Sequence, residues 1–305
     1  MPMDLRAAAR PLLTRFRRQR PLRAGSLIVT VFGDSILPRG GAIALRSLIA
    51  LLRPFGLNER LVRTATARLA HDGWLEARRA GKLSEYRLTS GGRARFVEAT
   101  LRIYGGEEAA WRGRWTVLVL PTMPGAARRR LREELRWRGF GEIAVGVFAH
   151  PELAAHTIRR QLRAAGLPPQ ALIFDASLND DEQPEWLVRL GWDLEELGRH
   201  YDRFAERFAD CRAALLGRGR ADLEAAYIVR TLLIHEYRRL HLRDPLLPPA
   251  LLPAKWPGTR AAASCREIYG RMFAPSEAHL SNIAERLDGA MPPAAPSVMR
   301  RFGGV

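Results

Sequence analysis

Cysteine is almost missing from this chain. Its two cysteines, Cys211 and Cys265, lie on expected amphipathic helices and match neither a disulfide framework nor a metal-ligand spacing, which points to buried thiols in a reducing cytoplasm. Long apolar runs are also absent, so neither a signal peptide nor a membrane span is expected. Lysine is scarce: only Lys82 and Lys255 among the 49 basic residues are not arginine. Base composition of the genome could produce that bias, so the arginine preference carries little weight. The scarcity of acid at the start of the chain carries more. Residues 1–104 hold 20 basic and 7 acidic side chains, residues 105–198 hold 12 and 14, and residues 199–305 hold 17 and 11, within a net charge of +17. A polyanionic partner would therefore meet the first third of the chain.

Catalytic motifs are missing too. His235-Glu236 has no second histidine at the helical spacing a zinc protease needs, because position 239 is arginine and the next histidine is His241. No phosphate loop ending in Gly-Lys-Ser/Thr occurs, Gly139 to Gly146 lacks the helix of a dinucleotide-binding turn, and Ser35, Ser177 and Ser264 lack a nucleophile-elbow context. No catalytic residue, metal site or cofactor is expected.

What is present centres on Asn58 to His71. Leu61, Val62, Ala65 and Leu69 recur at helical spacing on one face, leaving Arg60, Arg63, Thr64, Ala67, Arg68 and His71 on the other. Asn58 is placed as N-cap, with Leu57 before it as a staple to Val62. Ala44 to Arg53 forms a second amphipathic helix upstream, across the turn Pro54-Phe55-Gly56, and the pair predicts a helix-turn-helix. Downstream, Trp74 to Arg79 and Leu83 to Leu88 read as two strands around Ala80-Gly81-Lys82. A basic hairpin behind a basic helix is a wing. An ordinary surface helix with solvated arginines is the bland alternative, but the full order of elements favours double-stranded DNA as partner. The candidate contacts are Asn58, Arg60, Arg63, Thr64, Ala67 and Arg68 on the helix and Arg78, Arg79 and Lys82 on the wing.

The expected architecture is an α+β multidomain chain. Residues 1–25, rich in arginine and interrupted by Pro2, Pro11, Pro21 and Gly25, read as a basic flexible arm that touches DNA backbone; a targeting peptide or a plain disordered tail shares that composition. Residues 26–104 form the winged helix-turn-helix domain, opening with an apolar helix over Ser26 to Ile36 and closing with one from Thr89 to about Tyr104. Residues 105–191 alternate strands (Trp115–Leu120, Ile143–Phe148, Ala171–Asp175) with helices (Ala126–Arg138, Glu152–Ala165), a ferredoxin-like α/β order closed by the acidic loop Asn179 to Glu185. Small domains of that order include the CRISPR-associated endoribonucleases, which place an aspartate at the end of the first strand; Trp115 to Pro121 has none.

Residues 192–288 read as all-α. Leu194, Leu197, Tyr201, Phe204, Phe208, Cys211 and Leu215 form a heptad seam able to close on its own domain or on a second subunit. Further helices run over Ala221–Leu242, Cys265–Met272 and Ser276–Leu287, and residues 289–305 read as a disordered tail.

The run Glu59 to Gly92, containing Arg63-Thr64-Ala65, Arg68-Leu69, Asp72-Gly73-Trp74-Leu75, Ser84, Tyr86 and Leu88-Thr89, resembles the phenylacetic acid catabolon repressor family (PaaX), with Asn58 to Leu61 varying its opening. Arg230 to Tyr269 and Trp111 to Trp115 resemble later segments of the same family, so the likeness covers Ser26 to Tyr269. The resemblance implies a cytoplasmic winged-helix repressor that releases DNA on binding phenylacetyl-CoA or a related aryl-acyl-CoA. Such an effector needs cations for phosphates and an apolar slot for the acyl group. Arg230, His235, Tyr237, Arg238, Arg239 and Trp256 are the candidate effector residues, although the same helix could hold a structural ion-pair network such as Glu236 with Arg239. A homodimer reading two half-sites is expected. The rival readings are an acyl-CoA thioesterase or nuclease with an accessory winged helix, and a winged helix that docks protein.

Overall fold

A computed structural model describes residues 4–81, 83–105, 110–121, 125–151, 153, 155–164, 171–179, 183–215 and 222–304. In chain order it contains α1 (Leu5–Arg17), α2 (Ala24–Val31), β1 (Ala42–Ala44), α3 (Leu45–Leu52), α4 (Glu59–His71), β2 (Leu75–Ala80), β3 (Leu83–Leu88) and α5 (Ser90–Tyr104). These are followed by β4 (Arg114–Val119), α6 (Gly125–Trp137), β5 (Gly141–Ala144), β6 (Val147–Pro151), α7 (Ala155–Ala164), β7 (Leu172–Ser177), α8 (Pro184–Gly191) and α9 (Leu194–Arg207). The chain ends with α10 (Ala209–Ala214), α11 (Leu223–His241), α12 (Pro257–Ile283), the short strands β8 (Glu285–Arg286) and β9 (Gly289–Ala290), and a 3-10 segment over Pro296–Gly303. Among the described residues no helix is long and apolar enough to cross a membrane.

The chain folds into two compact units: Met1–Gly106 with Asp202–Arg239 and Thr259–Val305, and Glu107–Tyr201 with Leu240–Gly258. The winged helix thus shares a unit with most of the helical region. Its three-stranded sheet has the order β1-β3-β2, and β1, which sequence patterning does not reveal, pairs antiparallel with β3 from Ala42 opposite Arg87 to Ala44 opposite Glu85. A three-residue strand running straight into α3 has too little alternation to be recognised locally.

In the second unit the four-stranded antiparallel sheet has the order β5-β6-β4-β7, the ferredoxin-like arrangement. The expected single strand Ile143–Phe148 is instead a hairpin: Gly146 takes a φ of +81° and turns β5 into β6. Successive residues alternate faces, so Leu118 and Phe148 meet Leu131, Leu135 and Ile158 on one side of the sheet, while Trp115 and Ala149 meet Leu187, Val188, Leu247 and Leu251 on the other. Helix α8 starts inside the segment expected to be an acidic loop, of which residues 180–182 lie outside the described residues.

Both chain ends correct the sequence expectation. Residues expected to be a flexible arm include α1, whose Ala8, Ala9, Leu12 and Phe16 form a buried stripe; Cys211 packs its sulfur 3.7 Å from the Ala8 carbonyl oxygen, and Pro11 is accommodated inside the helix. The expected disordered tail forms β9 and the 3-10 segment, burying Val298, Arg301 and Phe302. The two helices expected after residue 265 are one, since Pro275 removes one N–H without ending α12. The heptad seam is interrupted at Phe208, and Phe204, Phe208 and Cys211 are fully buried within the first unit, where Phe204 meets Tyr237 at 5.6 Å.

Candidate DNA interface

Helix α4 begins as its sequence dictates. Asn58 has extended backbone geometry and its side-chain oxygen accepts the Leu61 N–H at 2.9 Å, the N-cap bond. The buried face differs in detail from the expected stripe: Val62 and Thr66 are fully buried, while Leu61, Ala65 and Leu69 are half-buried. Thr66 tolerates that position because its hydroxyl donates to the Val62 and Arg63 carbonyls one turn back, at 2.9 and 3.0 Å.

On the outer face Asn58, Arg60, Arg63, Thr64, Ala67 and Arg68 are all exposed. Thr64 turns its hydroxyl to the Arg60 carbonyl at 2.9 Å, and Arg63 is paired with Glu59 one turn earlier at 2.6 Å. Glu59 is the residue that sequence reasoning overlooked, although its spacing to Arg63 makes the pair legible. It orients the Arg63 fork, and DNA phosphate would compete with it for that fork.

The wing follows the expected hairpin. Arg78 stands opposite Glu85 and Arg79 opposite Ser84, both arginines are exposed, and Gly81 takes a φ of +59° at the tip. Lys82, the third wing candidate, lies outside the described residues. Glu85 does not neutralise Arg78 from the surface: it is 1% exposed and accepts the Leu287 N–H at 3.0 Å. Glu59 and Arg63 line a cleft of about 220 Å³ together with Leu83 and Ser84 of the wing, so helix and wing converge on one surface. Thr89 fixes the base of the wing, capping α5 through the Gly92 N–H at 2.8 Å and donating to the Gly73 carbonyl at 2.7 Å.

The residues expected to bind an effector do not form one group. Arg230 is enclosed, 1% exposed, with ion pairs to Asp34 at 2.9 Å and Glu277 at 2.6 Å. Arg301 also meets Asp34, at 2.8 Å, and Tyr104 and Tyr269 donate to the same carboxylate oxygen. Burial opposes charge on Asp34, but Arg230 and Arg301 outweigh it and hold the carboxyl below its ordinary range. His235 is fully buried with Nδ1 3.0 Å from the Thr30 hydroxyl; burial, and then Arg238 and Arg239, push it down to about 3, so it is neutral at pH 7. Tyr237 is buried among aromatics, with Phe204 at 5.6 Å and Phe302 at 6.0 Å. Arg238 donates to Ser26 and Thr30 at 2.8 to 2.9 Å, and Arg239 lies 3.7 Å from Glu236, the ion pair that the sequence left open. Trp256 belongs to the second unit, edge-on to Tyr201 at 5.9 Å.

Comparison with known proteins adds to this geometry. Three family profiles match in succession: the PaaX-like protein over residues 23–92, the PaaX protein central Cas2-like domain over 108–188, and the PaaX-like protein C-terminal domain over 192–282. The chain is 35% identical over 295 residues to the transcriptional repressor PaaX of Escherichia coli strain K12, covering 93% of this chain and 92% of the relative. An uncharacterized protein from Mycobacterium tuberculosis has a similar structure, with a TM-score of 0.52 and 26% identity, covering 76% of this chain and 89% of that one. An α+β chain with the PaaX N-terminal domain, a Cas2-like ferredoxin-like middle and a helical C-terminal domain, it belongs to the PaaX-like family.

Proposed function

We propose that this chain is a DNA-binding transcriptional repressor, acting in the cytoplasm as a homodimer on an aromatic-acid degradation operon, and released from its operator by an aryl-acyl-CoA such as phenylacetyl-CoA. The observation that carries the DNA reading is the outer face of α4, where Arg60, Arg63, Thr64 and Arg68 stand exposed on a capped helix beside a wing bearing Arg78 and Arg79. Such a helix enters the major groove with its N-terminal half, while the wing lies along the backbone. The likeness to a relative named as a transcriptional repressor supports the same reading. Two copies would read half-sites about one helical turn apart.

Release follows if the thioester prefers a protein conformation in which the two α4 helices are misplaced. A preference of a few kcal/mol is enough to shift such an equilibrium. Fluorescence anisotropy on the DNA upstream of the chain's own gene, against scrambled DNA, tests the proposal. Specific binding lost with phenylacetyl-CoA but not with free CoA is expected. Specific binding indifferent to the thioester would remove the effector from the account, and thioester hydrolysis without specific binding would replace the repressor by an enzyme.

A further inference from the structure

We propose that the cleft between α4 and the wing seats one phosphate of the DNA backbone, and that Arg46 of α3 and Arg286 of the β8–β9 hairpin hold it together with Arg63. The proposal rests on the DNA reading above and extends that interface to a segment from the other end of the chain.

The hairpin follows α12 directly and lies past both the PaaX-like match over residues 23–92 and the C-terminal match over 192–282. Two backbone N–H groups dock it on the winged helix. Leu287 donates to the buried carboxylate of Glu85 on β3, and Glu285 donates to the hydroxyl of the buried Ser47 on α3, each at 3.0 Å. The wing thus sets its place on one side and the first helix of the helix-turn-helix on the other. As a result Arg286 stands with Arg46, Arg63, Glu59, Leu83 and Ser84 around the cleft of about 220 Å³.

The three arginines share one arrangement. Arg46 is paired with Glu285, Arg63 with Glu59 and Arg286 with Asp288, and the three carboxylates are 49%, 60% and 64% exposed. Water screens such pairs, so a phosphate can take the carboxylate's place at little cost. The Arg286 pair is the loosest, because 3.6 Å is beyond hydrogen-bonding distance, and Arg286 makes no hydrogen bond among the described residues. Three forks converging from separate elements suit the oxygens of one phosphate.

Size points the same way. The cleft is smaller than the roughly 300–1,000 Å³ of pockets that enclose drug-sized ligands, so it fits a single phosphodiester rather than an acyl-CoA. With α4 in the major groove and the wing along the backbone, the strand between them crosses this opening.

Fluorescence anisotropy of the full chain across a salt series, on the DNA upstream of its own gene, tests the seat when paired with ethylation interference on the same DNA. Arg46→Ala and Arg286→Ala should each weaken binding about three- to tenfold at ~0.1 M salt, with urea unfolding unchanged. In both variants ethylation of the same backbone phosphate should lose its effect. The double variant should reduce the slope of log affinity against log salt by about one, the value of one phosphate rather than two. Glu285→Gln and Asp288→Asn should each raise affinity by about two- to fivefold, since each removes an anion that phosphate must displace. A hairpin that only braces the fold predicts the opposite: no gain in these two variants and an unchanged interference pattern in the arginine variants, which would overturn the seat. If the wild type shows no specific binding, the DNA reading fails and takes the seat with it. If Arg60→Ala lowers the slope and the Arg46, Arg286 double variant keeps it, the seat is wrong while the DNA face of α4 stands. Should Arg286→Ala fail to fold, Asp288→Asn decides: a gain upholds the seat, and a loss or no change overturns it.

Discussion

Arginine has opposite parts in two regions of the first unit. On α4, Arg63 is 55% exposed and its partner Glu59 is 60% exposed, whereas Arg230 and Asp34 are 1% and 2% exposed. An exposed pair contributes a few tenths of a kcal/mol and separates readily when a phosphate arrives. A buried pair is different: removing one partner leaves an uncompensated charge where water cannot reach it. The same residue type thus stands in an exposed, exchangeable pair on one side and as a fixed part of the fold on the other. Composition cannot tell them apart, because what decides is the partner brought alongside by folding.

Removing the buried partner gives the largest expected effect. Asp34→Asn leaves Arg230 and Arg301 facing a neutral amide and should cost about 3–5 kcal/mol in urea denaturation. A loss under about 1 kcal/mol would mean that the network is not a structural keystone. Acid should act next. His235 is depressed in the folded state to about 3 from an ordinary value of 6.5, so its stabilising neutral form is fully present above about pH 6.5 and the contribution is lost as pH falls toward 3. With a limiting slope of ~1.4 kcal/mol per pH unit, stability should drop by roughly 1.5–2 kcal/mol between pH 6.5 and 5. Denaturation midpoints across that range would check it, and His235→Gln should flatten the profile; an unchanged slope in the variant would assign the acid sensitivity elsewhere.

The exposed region was far more legible in the sequence than the buried one, and distance along the chain is the reason. The Asn58 cap, the arginine face of α4 and the β2–β3 hairpin depend on neighbours within a few residues, where helical and strand periodicity acts directly. Asp34 finds Tyr104, Arg230, Tyr269 and Arg301 at separations of 70 residues and more, which no local pattern encodes. The N-terminal segment is the same case. Its prolines and arginines resemble a disordered arm, yet Phe16 is ordered by His235 and Phe55, contacts that exist only after folding. Gly146, by contrast, is visible as a glycine between two apolar stretches and marks the turn of the β5–β6 hairpin that apolar patterning alone renders as one strand. The effector candidates mixed both classes, joining the enclosed Arg230 to the half-buried Arg238 and Arg239.

The smallest effect on stability should accompany the most informative effect on binding. Arg60→Ala sits on the exposed face of α4 and should change folding stability by less than about 0.5 kcal/mol. The measurement that tests the central claim most directly is therefore the salt dependence of operator binding by wild type and Arg60→Ala. A slope of log affinity against log salt that is reduced by about one, with unchanged unfolding, is the predicted result. An identical slope and affinity in the variant would contradict the assignment of this face to DNA.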